Sequence, residues 1–227
     1  MTSRLSKWIG EGMHASGLNP NMVWDASWQW EQDYSKPWEP IRNDKDLKAR
    51  EDNALDLVDK DPDFALTKFI ALADEGSAFA MRWAGYLYSG TLGVAKNEDL
   101  AEEYFKRAIC KGSSLAAIHY ANALYRRGAH DLWPEILNDG MKKGYIPAFY
   151  WHGRNSYHLH PCSQTAIEAR PALVRAAEAG HLGAKAMLIR WTFRGRFGFS
   201  KVPEGFSLFR SLFRDLTEGA SLNQSGA

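Results

Sequence analysis

Only two of the 227 residues are cysteine, Cys110 and Cys162, too few for a disulfide framework. Both read as buried small hydrophobes in a reducing compartment. An excess of one charge is also missing. There are 28 Lys and Arg against 27 Asp and Glu, a net charge of +1. A general nucleic-acid binder should be clearly basic, so the near-balance argues against that class. No apolar run approaches the roughly 20 residues that cross a bilayer. The start, Met1-Thr2-Ser3-Arg4-Leu5-Ser6-Lys7-Trp8-Ile9-Gly10, turns polar before an export signal can form. The expectation is a soluble cytoplasmic protein with no membrane and no nucleic-acid partner. Nucleotide loops of the Gly-x4-Gly-Lys-Ser/Thr and Gly-x-Gly-x-x-Gly types are absent, as are His-Glu-x-x-His and Gly-x-Ser-x-Gly. No cofactor, metal or catalytic residue is therefore expected.

What is present is an ordinary globular composition, 45% hydrophobic and 24% charged, with nine tryptophans. Charge is uneven along the chain: net −3 over 1–60, −3 over 61–140 and +7 over 141–227. The basic third either meets an acidic partner or is a solvated face.

Glycines recur at Gly76, Gly112, Gly144, Gly180 and Gly219. Four residues after each of the first four stands an alanine: Ala80, Ala116, Ala148, Ala184. Nine after stands Gly85, Ala121, Gly153 and then Ile189. Each unit reads as two helices. Ala78 to Tyr88 is rich in alanine and aromatics, Gly90-Thr91-Leu92-Gly93 breaks it, and Asn97 caps a second helix. There Leu100, Ala101, Tyr104, Phe105, Ala108 and Ile109 form the apolar stripe of an amphipathic helix, which Gly112 ends. The small residues mark places where paired helices cross closely. A loop echo supports the period: Gly90 to Lys96 and Gly195 to Lys201 both place two glycines three apart and a lysine three further on. Repeats of this length mean stacked units sharing one core.

Ala80 to Tyr88, Gly93-Val94-Ala95-Lys96 and Arg175-Ala176-Ala177-Glu178-Ala179-Gly180 resemble the Sel-one-like repeat, a relative of the tetratricopeptide repeat. The resemblance covers about 61–219. The second unit is short and lacks the Gly-Val link. The third carries His158-Leu159-His160-Pro161, read as a long link, and the fourth has Ile189 at a small-residue position. The resemblance implies an all-α fold, a right-handed α-α superhelical solenoid. Its expected parts are an irregular Trp-rich amino-terminal cap (1–42), a degenerate first hairpin (43–76), four repeats (77–219) and a disordered tail (220–227). Trp8, Trp24, Trp28, Trp30 and Trp38 either anchor the cap to the array or grip a partner.

Three chemistries compete. His152, His158, His160 and Cys162 are zinc-ligand types, but their spacing fits no usual site, and a polar interhelical link is the simpler reading. Trp24-Asp25 and Trp30-Glu31-Gln32-Asp33 suggest a sugar site with no rigid element to hold it. The third is a surface. The first helix of each hairpin should line a concave wall, exposing positions six, ten, thirteen and fourteen past each glycine. The partner-binding candidates there are Arg82 and Tyr86, then Asn122, Tyr125 and Arg126, then Tyr150, Arg154 and Tyr157, then Arg190, Phe193 and Arg194. This strip of tyrosine and arginine holds no acid and has the composition of an interface. Its aromatics can instead pack between neighbouring hairpins. The expected function is non-enzymatic binding of an acidic protein as scaffold or adaptor. The alternative, suggested by bacterial members of the family, is a cytoplasmic immunity protein that neutralises a toxin.

Overall fold

In a computed structural model of the chain, residues 40, 42–90 and 92–224 are described. The Trp-rich segment and the Trp24 and Trp30 clusters lie outside them. Ten α-helices follow one another: α1 Lys45–Leu55, α2 Pro62–Asp74, α3 Ala78–Tyr88, α4 Glu98–Cys110, α5 Ser114–Arg127, α6 Trp133–Lys142, α7 Ile146–Leu159, α8 Ser163–Glu178, α9 Leu182–Phe193 and α10 Val202–Gln224, with a short 3-10 turn at Phe199–Lys201. The chain divides into two compact units, one ending at Tyr145 and the other beginning at Ile146.

In the first unit each helix packs on the next, and α3 also packs on α5. The repeat glycines explain the sharp reversals between hairpins. Gly76 and Gly112 have φ of 99° and 92°, the left-handed region that a side chain disfavours. The N–H of the following serine reaches back to a helix carbonyl, Ser77 to Leu72 at 3.1 Å and Ser113 to Ala108 at 3.0 Å. The same serine then opens the next helix. Ser77 Oγ accepts the Ala80 N–H at 3.0 Å, and Ser113 Oγ accepts the Ala116 N–H at 3.2 Å. The alanine four past each glycine is thus the residue whose N–H the cap takes. Ala80 and Ala116 are both fully buried. Within the α3–α4 hairpin, Asn97 Oδ1 accepts the Leu100 N–H at 3.1 Å, and Ala101, Tyr104, Phe105 and Ala108 are the buried stripe. Gly85 lies against the Phe105 ring, where a Cβ would come within 2.8 Å of a ring carbon. Ahead of these, α1 packs on α2, and Glu51 of α1 is buried. It accepts from Ser77 Oγ at 2.5 Å and from Arg42 Nε at 2.5 Å.

The second unit repeats the plan with changes. Gly180 (φ 94°) is followed by His181, whose Nδ1 accepts the Ala184 N–H at 3.2 Å in place of a serine cap. Gly153 faces Leu173 of α8, with a Cβ clearance of 3.0 Å. In the α9–α10 hairpin the small residue has moved to the other helix. Ile189 joins the core with Leu182 and Leu212, and Gly205 of α10 makes the close approach, where a Cβ would stand 3.0 Å from Thr192 Cγ2. The echoed links share their backbone: Gly90, Gly93, Gly195 and Gly198 have φ of 76°, 86°, 70° and 82°.

Three expectations change. His152 and His158 lie on α7, which runs to Leu159, so the link to α8 is three residues and not a long loop. Helix α10 runs through Gly219 to Gln224, where the sequence suggests a break and an irregular tail; 225–227 lie outside the described residues. Cys110 and Cys162 are exposed rather than buried. Cys162 is the cap of α8: its sulfur accepts the Thr165 N–H at 3.5 Å, and hydrogen bonds from Thr165 lower its thiol pKa.

Candidate functional site

Numbering each first helix from its preceding glycine sorts the candidate residues by position. Position six is buried wherever it carries a large side chain. Arg82, Ile118 and Tyr150 are 0%, 0% and 4% exposed. Position ten is partly or fully exposed at Tyr86, Asn122, Arg154 and Arg190. Position thirteen is buried or half-buried at Ser89, Tyr125, Tyr157 and Phe193. Position fourteen is exposed in every hairpin, at Gly90, Arg126, His158 and Arg194. Within each unit, positions ten and fourteen, one helical turn apart, therefore form the exposed ridge.

Several candidates are removed from that surface by packing. Arg82 lies with its guanidinium 5.1 Å from the Phe79 ring and 5.2 Å from Trp83, and its Nη1 is 3.4 Å from His119 Nε2. Tyr150 stacks on His181 with ring centroids 4.4 Å apart. Tyr157 packs on Trp191 at 4.2 Å. Phe193 meets Phe206 edge-on at 4.9 Å and belongs to the α9–α10 core. Tyr125 is half-buried against Trp133 at 5.9 Å. These rings and Arg82 hold neighbouring helices together, so Arg82, Tyr150 and Tyr157 are corrected from exposed interface residues to core.

In the first unit the ridge keeps Tyr86, Asn122 and Arg126. Tyr86 is half-buried beside His119, ring centroids 4.8 Å apart, and Arg126 donates to Ser89 Oγ at 3.5 Å. Beside it an open cleft of about 420 Å³ is lined by Glu98, Glu102, Tyr120, Arg126, Arg127 and other residues. Its charges already answer one another. Lys96 pairs with Glu98 at 2.5 Å, Lys106 with Glu102 at 2.6 Å, and Arg127 reaches Glu102 at 3.5 Å. Burial and the Glu102 carboxylate push the Tyr120 hydroxyl up to about 12. A cleft with its ions paired offers a ligand little unmet charge.

In the second unit the ridge is cationic. Arg154 and His158 stand one turn apart on α7; Arg190 lies on α9 and Arg194 is its C-cap, its N–H donating to the Arg190 carbonyl at 3.1 Å. Rings of α7 and α9 touch beneath them, through Tyr157 and Trp191. Arg154 donates to Asn155 Oδ1 at 3.1 Å and lies 5.0 Å over the Trp151 ring. No carboxylate among the described residues forms an ion pair with Arg154, Arg190 or Arg194. By contrast Arg42, Arg107, Arg127 and Arg170 each have one. Partial burial lowers the Arg190 pKa, and the positive charges of Arg194 and Arg154 lower it further, with Tyr150 and Tyr157 acting the other way. His158 is likewise lowered, by burial first and then by Arg154 and Arg190. Sequence reading places His158 at position fourteen of this strip but also in a loop; the structure keeps it on α7 beside the arginines.

No three His, Cys, Asp or Glu side chains group to hold a metal among the described residues. No described helix is long and apolar enough to cross a membrane.

No protein-family profile matches the sequence, and no curated protein matches it. Among solved structures, the chain is similar to the crystal structure of a Sel1 repeat protein from Oxalobacter formigenes. The match has a TM-score of 0.57 at 17% identity and covers 74% of this chain and 73% of that one. The fold is thus all-α and of the Sel1-repeat solenoid class. At the level of the molecule, the likeness is one of fold: paired helices arranged as in a Sel1 repeat protein.

Proposed function

We propose that this protein is a non-enzymatic interaction module that takes an acidic segment of another protein at positions ten and fourteen of the first helices of its second unit, α7 and α9. A Sel1-type repeat fold suggests a protein-interaction module in general. The narrower reading rests on one observation: Arg154, Arg190 and Arg194 sit together, accessible, with no carboxylate of the described residues paired to them. Guanidiniums in that state gain most from an anion brought by a partner. Exposed Cys110 and Cys162 suit a reducing cytoplasm, where thiols stay unpaired. The test is affinity capture with the wild-type chain and an Arg154→Glu, Arg190→Glu variant side by side. The expected result is one partner retained by the first and lost from the second, with helix content by circular dichroism the same in both. Equal retention by the two would place the contact elsewhere. The identity of that partner then separates an adaptor from an immunity protein, since a toxin held at nanomolar affinity defines the second.

A further inference from the structure

The reading above leaves open what kind of acidic segment fits, and the two-by-two arrangement on α7 and α9 narrows it. Positions ten and fourteen of the third hairpin are Arg154 and His158, both on α7; those of the fourth are Arg190 on α9 and Arg194, the C-cap of α9. Each pair is one turn apart, and the two helices are bridged by the Tyr157–Trp191 contact at 4.2 Å. Three permanent charges thus share one small area. One carboxylate would satisfy one guanidinium and leave the others repelling one another. Two adjacent negative charges on one segment match the spread of the cluster better.

We infer that Arg154, Arg190 and Arg194 form a receptor for two neighbouring carboxylates on one acidic peptide segment, and that His158 takes up a proton when the segment docks. This rests on the proposed function and names the partner chemistry and its regulation. The groups acting on His158 are Arg154 on its own helix and Arg190 on α9, both cationic, and the Tyr157 ring beside it at 5.6 Å. From α8, Glu168 accepts from Gln164, and Arg170 is paired with Glu204. In the free protein burial and two guanidiniums oppose the imidazole's charge and lower its pKa. A docked pair of carboxylates cancels that repulsion, and a proton on His158 becomes one more charged donor. Binding then takes up a proton, and affinity rises as pH falls through the range between the free and bound values.

The probe is a blocked hexaglutamate peptide, with hexaglutamine as control, titrated into the full-length chain by calorimetry at low salt. Runs in two buffers of different ionisation enthalpy report proton uptake, and the His158 ring resonance is followed by NMR. The expected result is hexaglutamate binding with no hexaglutamine binding, weakened at least about tenfold by Arg190→Glu. The His158 titration should move to higher pH with peptide bound, and His158→Gln should bind without the proton uptake. Hexaglutamate binding that ignores Arg190→Glu overturns the receptor. An unshifted His158 titration overturns the proton linkage. Either result can coexist with a partner lost from the Arg154→Glu, Arg190→Glu variant in the capture experiment, so the failure of this inference is distinct from failure of the interaction reading. A peptide carrying one phosphoserine among glutamines is the third arm. Binding tighter than hexaglutamate would overturn paired carboxylates in favour of a single dianion.

Discussion

A methyl group added at Gly85 would stand 2.8 Å from one carbon of the Phe105 ring and 2.9 Å from another. Phe105 is fully buried, so its ring has no free direction in which to yield. Alanine would gain about 1 kcal/mol of helix propensity over glycine, but overpacking costs typically 1–3 kcal/mol. Gly85→Ala should therefore lower stability by about 1 kcal/mol net, seen as a lower midpoint in urea at unchanged slope. A raised midpoint would mean that α3 and α4 are free to part. His119 supplies a second test. Burial, and then the charges of Arg82 and Arg126, hold its pKa well below 6.5. Once unfolded, the imidazole binds a proton below about pH 6.5, which the folded protein refuses. The unfolded state then binds more protons, so stability falls as pH drops from there. His119→Gln removes this contribution and should shrink the fall in melting temperature between about pH 6.5 and pH 5. Some fall should remain, because His152 and His158 are also lowered. A variant whose melting curve tracks the wild type across that range would show that His119 titrates as if in water.

At the scale of the helix, glycine, cap and alanine form a single device. The glycine turns the chain in the left-handed region, the next residue closes the finished helix and opens the following one, and the buried alanine lets the helices touch. That device involves near neighbours in sequence, which is why the helices α3 to α9 and both Gly-x-x-Gly links could be read from residues alone. The surface could not be read so well. Position six looks exposed on an isolated helix, yet in the first unit the neighbouring hairpin covers it, as at Arg82, where His119 of α5 is 3.4 Å away. A covering helix lies about 36 residues on, and no local pattern at position 82 reports it. The helical setting of His158 was hidden for a different reason. Histidine, leucine, histidine and proline in a row signal a loop, but Pro161 falls after the helix end, and α7 keeps its geometry to Leu159. Ile189 shows a third limit. Close approach is a property of two helices together, so a missing small residue on α9 is answered by Gly205 on α10.

Over the whole chain the charges add to nearly nothing, yet 1–140 sums to −6 and 141–227 to +7. The basic surplus includes Arg154, Arg190 and Arg194, ridge charges with no ion pair among the described residues. An acidic partner approaching the second unit should be steered by that field. Steering acts on the encounter, so salt should slow association much more than it speeds dissociation. Screening shortens the reach of each charge to about 8 Å at 0.15 M ionic strength and about 3 Å at 1 M. The association rate of the captured partner, measured by surface plasmon resonance, should fall about tenfold or more as salt rises across that range. The same plot for Arg154→Glu, Arg190→Glu should be flatter, because the variant removes two cations and adds two anions where the partner lands. An association rate indifferent to salt would mean that the complex forms on apolar surface, such as exposed Phe199 or Phe206, and that the arginine ridge takes no part in the encounter.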